Sequence, residues 1–259
     1  MPKIVFITGA TSGFGKACAE KFASECYDLI LNGRREDRLE EIKFQLERKF
    51  NIAICLLPFD VRNRENVFAA IERIPEAWQG IDVLINNAGL ALGRDYFDEA
   101  NIDDWDTMID TNVKGLLYVS RAVIPFMIKH HASTGSSGHI INLGSIAGDE
   151  VYEKGNVYCA SKFAVDAISK SMRIDLLRHG IKITNIKPGA AETEFGIVRF
   201  KGDADTAKQV YNGLTPLSAN DVAEVIYYTT TLPAHVCLNE IVITCTQQAN
   251  TIYFDRKPN

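Results

Sequence analysis

The sequence predicts an α/β fold: one doubly wound parallel sheet of about seven strands with helices on both faces, forming a single domain over residues 1–259. Three observations carry this expectation. Short apolar runs alternate with segments of helical periodicity along the whole chain, the pattern of repeated strand–helix–strand units. The first run passes directly into a glycine-rich turn and then a helix. No composition shift, internal repeat or low-complexity stretch marks a boundary, and a chain of this length can bury one large core.

The elements follow in order. Lys3–Ile7 reads as a strand, Thr8–Gly15 (TGATSGFG) as the turn, and Lys16–Ser24 as a helix. Glycines permit a tight turn and close backbone approach, and a helix N-terminus offers free N–H groups, so this turn suits a pyrophosphate. Gly9, Thr11, Ser12, Gly13, Phe14 and Gly15 are therefore cofactor candidates. Asp28–Leu31 is the second strand, leading to Arg34 and Arg35. In a dinucleotide fold this end meets the adenosine ribose, where forked cations suit a 2′-phosphate. The same arginines also fit the start of a solvated, charge-rich helix, Glu36–Lys49.

Ala53–Leu57 is the third strand, running into Asp60 and Val61; Asp60 either accepts from an adenine amino group or caps the helix that starts near Arg64. Asp82–Ile85 is the fourth, ending in Asn86, Asn87, Ala88 and Gly89, small residues that fit a flat ring packed closely or a plain turn. Ile102–His131 reads as one long helix with Pro125 as a kink, and Asn112 and Gly115 inside it both cost helical stability. His139–Leu143 is the fifth strand and Val157–His179 the next helix. Lys182–Lys187 is the sixth strand, followed by Pro188-Gly189-Ala190-Ala191-Glu192-Thr193. Residues 194–212 read as irregular, within a substrate loop near 190–215. Asn220 or Ser218 caps a helix through Tyr228, and Glu240–Thr244 is the last strand.

Composition excludes several classes. A hydrophobic content of 46% with net charge −5 gives no basic excess for nucleic acid. No apolar run approaches the ~20 residues that span a bilayer, so no membrane partner is expected. MPKIVFITG enters a strand without leader architecture, and a cytoplasmic location follows. The six cysteines are scattered singly without metal-ligand spacing; they read as buried free thiols, and no metal is expected.

The candidate chemistry lies in Gly144–Lys162. Tyr158 and Lys162, four residues apart, share one helix face. A lysine ammonium one turn away favours the phenolate, so it is expected to lower the phenol pKa from near ~10 and fit it for proton transfer to or from a substrate oxygen. Ser145 follows a strand and is placed to hydrogen-bond the same oxygen. Alone, the pair also fits an ordinary surface pair on an amphipathic helix.

Taken together, TGATSGFG, Asp60, NNAG, NVKG, Ser145, Tyr158-x-x-x-Lys162 and Pro188-Gly189-x-x-x-Thr193 resemble the short-chain dehydrogenase/reductase family, over nearly the whole chain and in its order. The resemblance implies a Rossmann-type fold and an NADP- or NAD-linked oxidoreductase. Tyr158 would be the general acid/base, and Lys162 would tune it and hold the nicotinamide ribose. Ser145 would polarise the substrate oxygen, Asn112 would hold a relay water through its backbone, and Thr193 would bind the carboxamide. GRR, DVRNR, NNAGLALG, DTNVKGL, GNVY, VRFKGD and TLPAHV further resemble the NADP-dependent 3-hydroxy acid dehydrogenase group. That likeness implies NADP and a small 3-hydroxy acid or 3-oxo acid substrate such as serine, allo-threonine or malonic semialdehyde.

Glu192 departs from that group's glycine-richer segment and places a carboxylate beside the expected site. Arg199 and Lys201 flank Phe200 in the loop and are the candidates for holding a substrate carboxylate. Other substrate classes, a 3-oxoacyl or sugar carbonyl, and a non-catalytic NADP-binding sensor remain alternatives. Similar proteins form homotetramers through the two long helices. Leu116, Val119, Val123, Ala164, Ile168 and Met172 exceed one sheet-facing stripe, and the tail 246–259 is expected to pack on a neighbouring subunit.

Overall fold

A computed structural model describes residues 2–257. Seven strands form one sheet: β1 (Ile4–Ile7), β2 (Asp28–Gly33), β3 (Ile54–Pro58), β4 (Ile81–Asn86), β5 (His139–Leu143), β6 (Lys182–Pro188) and β7 (Glu240–Ile243). Their spatial order is β3-β2-β1-β4-β5-β6-β7, and every neighbouring pair is parallel. The chain thus builds one half of the sheet outward from β1, then returns to start the other half at β4. In such sheets ligands bind beyond the carboxyl ends of the strands, where the order reverses.

Burial on both faces explains the continuous apolar runs. On one face Val5, Ile7, Leu29, Leu31, Val83 and Ile85 pack with α1 (Gly13–Ser24), α2 (Glu36–Lys49) and α9 (Ala219–Thr231). The alternate residues, Phe6, Ile30, Leu84 and Ile140 among them, pack with α3 (Arg64–Glu72) and α5 (Leu116–Thr134). Among the described residues, no helix is long and apolar enough to cross a membrane.

Four expectations change. The long helix is broken: α4 (Ile102–Ile109) gives way to a π turn over Asp110–Gly115 before α5 begins. The departure from α geometry thus precedes Pro125, which lies within α5. Residues 194–212 are not irregular; they form α7 (Glu194–Arg199) and α8 (Ala204–Gln209), capped by the side chains of Thr193 and Asp203. The α3 cap is Asn63, not Asp60, and Ser218 caps α9 in a reciprocal box with Asp221. Finally, the described part of the tail packs on its own chain. Gln247 Nε2 donates to the Gly213 carbonyl, the Arg256 guanidinium bonds the carbonyls of Asn212 and Val210, and Gln248 Oε1 accepts from the Ala190 N–H at 2.7 Å. Residues 258 and 259 of that expectation lie outside the described residues.

Candidate active site

The turn after β1 is locked before anything binds. Gly9 and Gly13 have positive φ, 65° and 51°, which only glycine adopts readily. The Asn87 side-chain amide at the end of β4 donates to the carbonyls of Thr8 (2.9 Å) and Gly9 (3.1 Å). Ser12 precedes α1 in extended backbone, and its hydroxyl makes no capping bond. At the end of β2, Arg35 donates to Thr11 Oγ1 at 2.9 Å, and Arg34 lies 3.9 Å from Asp60. Burial works against the Asp60 carboxylate, but bonds from the Arg62 guanidinium and N–H hold its pKa below the usual range.

These residues line one cleft of about 340 Å³. Gly9, Thr11, Ser12, Gly13, Phe14, Arg34, Arg35, Asp60 and Val61 form one end of it. Asn87, Ala88 and Gly89 lie on its floor, and Pro188, Gly189 and Thr193 on the wall near Ser145, Tyr158 and Lys162. Gly15 does not line it; it packs under the turn, where a Cβ would overlap the Gly9 carbonyl and the Asn87 amide.

The reacting end is built from β5, β6 and α6 (Asn156–Asp175). Ser145 Oγ accepts from the Ala147 N–H at 3.1 Å and donates to the Pro188 carbonyl at 3.4 Å. Tyr158, one turn before Lys162 on α6, is buried among Ala91, Met108, Ala147 and Cys159. Lys162 Nζ donates to the Leu143 carbonyl at 2.8 Å and sits 5.8 Å from the Tyr158 ring centroid. Burial and the neighbouring Tyr152 push the Tyr158 phenol above its ordinary value; the Ser145 hydroxyl and Arg199 oppose this without prevailing. This reverses the sequence expectation, because Lys162 is turned to a backbone carbonyl and desolvation dominates. The Lys162 ammonium is itself pulled down to about 8 by burial.

Asn112 lies behind the cleft rather than in it. Its amide pairs both ways with the Leu90 backbone at 2.8 Å and donates to Ser161 Oγ at 3.0 Å; Ser161 in turn bonds the Tyr158 carbonyl. Its side chain therefore holds the first turn of α6 and the segment that follows NNAG.

Of the two loop cations, only Arg199 reaches the reacting end. Its guanidinium carbon lies 5.5 Å from the centroids of both Tyr152 and Tyr158, and Nη1 donates to the Tyr152 hydroxyl at 2.8 Å. Lys201 contradicts the expectation. It follows the end of α7 with φ of 54° and is paired with Asp104 at 2.8 Å, away from the cleft. Glu192 is exposed and absent from the lining. The thiols are mostly covered as expected, but Cys26 is exposed.

Comparison with known proteins gives a match to the short chain dehydrogenase model over residues 3–203. The chain belongs to the short-chain dehydrogenase family. It is 46% identical over 249 residues to sulfoacetaldehyde reductase 2 of Chromohalobacter salexigens, covering 96% of each chain. It is 44% identical over 239 residues to an NADP-dependent 3-hydroxy acid dehydrogenase of Escherichia coli, covering 92% of this chain and 93% of the other. The closed form of a serine dehydrogenase complexed with NADP+ superposes with a TM-score of 0.89 at 41% identity, covering 98% of this chain and 100% of that one.

Sequence reasoning missed several residues of this short-chain dehydrogenase. Tyr152 has no spacing signal, since it lies in the loop ahead of α6 and meets Arg199 only through the fold. Phe195 and Val198 line the cleft from α7, a helix of six residues whose sequence shows no period to mark them. Arg62 could have been found from the D-x-R spacing that lets it fold back on Asp60.

Proposed function

We propose that the protein is an NADP-linked oxidoreductase that interconverts a small 3-hydroxy acid and its 3-oxo acid. The observation that carries this reading is that Ser145 and Tyr158 line one end of a cleft whose other end carries Arg34 and Arg35, while the Arg199 guanidinium, just outside that lining, lies 5.5 Å from the Tyr158 ring centroid. The donor set fits NADP: a glycine turn at a helix N-terminus, a free Ser12 hydroxyl, and two arginines at the end of β2 where a 2′-phosphate would lie. Gly9–Phe14 would hold the phosphates, Arg34 and Arg35 the adenosine end, and Lys162 and Thr193 the nicotinamide end. When bound, NADP accepts or supplies the hydride.

The chain's own residues do the rest. In the reducing direction the buried Tyr158, neutral near pH 7, gives its proton to the substrate oxygen, and Ser145 Oγ–H steadies that oxygen. Arg199 pairs with the carboxylate, which fixes the carbon under attack against the nicotinamide side of the cleft. The same cation accepts a sulfonate. The likeness to a reductase named for sulfoacetaldehyde favours that anion as a second reading.

The test is a substrate panel with NADPH and NADP: serine, 3-hydroxypropionate, a 2-hydroxysulfonate and a neutral alcohol of similar size. Arg199→Ala is expected to raise KM for the anionic members at least ~30-fold more than for the neutral one, the loss for an unpaired buried charge. An equal change for charged and neutral substrates would mean that Arg199 does not read the anion.

We further propose a homotetramer in the cytoplasm. Six unpaired thiols suit a reducing compartment. Leu116, Val119 and Val123 proved to be core residues of their own chain, so they do not support assembly. The support comes instead from exposed Leu117, Phe163, Ile174 and Leu177 on α5, α6 and the turn beyond.

A further inference from the structure

Behind the reacting end lies a buried charge that proton transfer does not use. Lys187, next to last in β6, is 2% exposed. An isolated ammonium there would forfeit its hydration at large cost. Instead its Nζ meets three carboxylates: Asp149 Oδ1 at 2.7 Å, Asp166 Oδ1 at 2.7 Å and Glu240 Oε2 at 2.9 Å. The charges facing it come from every element packed around it. Asp149 ends the turn opened by Ser145, Asp166 and Lys170 come from α6, and Glu240 opens β7. Lys170 closes the cluster, 2.7 Å from Asp166 and 3.7 Å from Glu240. Two ammonium groups thus face three carboxylates.

Two of the ties, and the strand that carries Lys187, lead to residues of the site. Asp149 N–H bonds the Ile146 carbonyl in the short turn that Ser145 begins. Asp166 stands one helical turn beyond Lys162 on α6. Lys187 itself adjoins Pro188, whose carbonyl accepts from Ser145 Oγ. As a source of stability such a cluster is weak, since well-packed apolar side chains often serve as well. What it supplies is direction: three bonds from one atom to three separate elements.

We propose that Lys187 is a positioning residue: its ammonium ties the Ser145 turn, the Tyr158–Lys162 helix and the Pro188–Gly189 wall into one unit, and so sets where Ser145 and Tyr158 meet the substrate oxygen. This rests on the oxidoreductase reading above.

The experiment compares wild type with Lys187→Met, which keeps the stem and removes the charge, by steady-state kinetics between about pH 6 and about pH 8.5. NADP affinity by fluorescence quenching and thermal melting are measured beside it. Near pH 8, kcat is expected to fall at least ~10-fold while the NADP Kd stays within about twofold, the signature of misplaced reacting groups. The deficit should shrink toward pH 6, because protonating one of the three carboxylates relieves their repulsion. A merely structural role would lower the melting temperature and leave kcat per folded molecule equal to wild type at every pH, which overturns the proposal.

If the Met variant does not fold, Asp149→Ala removes only the tie to the Ser145 turn and is expected to lower kcat about threefold with NADP affinity kept; unchanged kcat there also overturns it. If wild type turns over no panel member, the functional reading has failed instead. The positioning claim is then read from amide hydrogen exchange of the Ser145 turn and the first turns of α6, set against that of β1 and β2. Lys187→Met speeds exchange at those two segments alone if Lys187 holds the Ser145 turn against α6, and unchanged or uniformly faster exchange counts against it.

Discussion

Lys162 is held in a place that suits chemistry better than folding. Its pKa is lowered from 10.5 to about 8 by burial. Below about 8 the folded chain therefore carries the full penalty of a buried charge. As pH climbs from 8 toward 10.5 the folded form sheds its proton before the unfolded form does, and stability rises. Removing the charge removes the penalty, so Lys162→Met is expected to stabilise the protein at pH 7 by roughly 2–3 kcal/mol while activity collapses. Calorimetry paired with kinetics checks this, and a Met variant that melts below wild type contradicts it. Tyr158→Phe is expected to cut kcat by at least ~10² with NADP binding kept. The residues of the proposed cofactor end were legible because their signals are local: a glycine spacing, an arginine pair, four small residues at a strand end. Arg199 and Lys201 stand two apart, and the sequence offers Arg199 as the bidentate partner of a carboxylate with Lys201 assisting it. The end of α7 separates them, sending one to Tyr152 and the other to Asp104.

The strands were read almost to the residue, since burial on both faces leaves uninterrupted apolar runs between turns. The short helices α7 and α8 escaped because six residues are too few to show a period. The π turn escaped because Asn112 and Gly115 look like errors in a helix until their contacts are known: Asn112 grips Leu90, and Gly115 lies against Val61. Lys187 drew no notice, as a lone lysine in a strand usually faces water. Strand β5 carries one more concealed group. His139 Nε2 lies 2.7 Å from Thr184 Oγ1, and that hydroxyl donates to the Leu238 carbonyl, so the imidazole must donate through Nε2. Burial lowers the His139 pKa to about 3. Its contribution is fully present above the unfolded value of 6.5 and is lost as pH falls from there toward 3. Urea unfolding from pH 7 to pH 4 is expected to show a steep loss of stability, made shallower in His139→Gln by roughly 2–3 kcal/mol at pH 4. An unchanged slope would assign the acid sensitivity to the paired carboxylates, Asp166 and Glu240, whose pKa values are also held down.

Leu117, Phe163, Ile174 and Leu177 expose 41–76% of their surface on α5, α6 and the turn beyond. Light scattering at micromolar concentration is expected to return the mass of four chains rather than the 28.8 kDa of one, and a monomer would refute the assembly. The reversal of strand order between β1 and β4 has a consequence for inheritance. The residues before it (Gly9–Phe14, Arg34, Arg35, Asp60, Val61) line the end of the cleft proposed for the adenosine and phosphates. Ser145, Tyr158 and Arg199, proposed to meet the substrate, all come after it, together with Asn87–Gly89, Lys162, Pro188, Gly189 and Thr193, which line the cleft from the later half. Mutation can therefore rework the later half for a new acid while the earlier half keeps its choice of coenzyme. A descendant of this chain can change its diet without changing its currency.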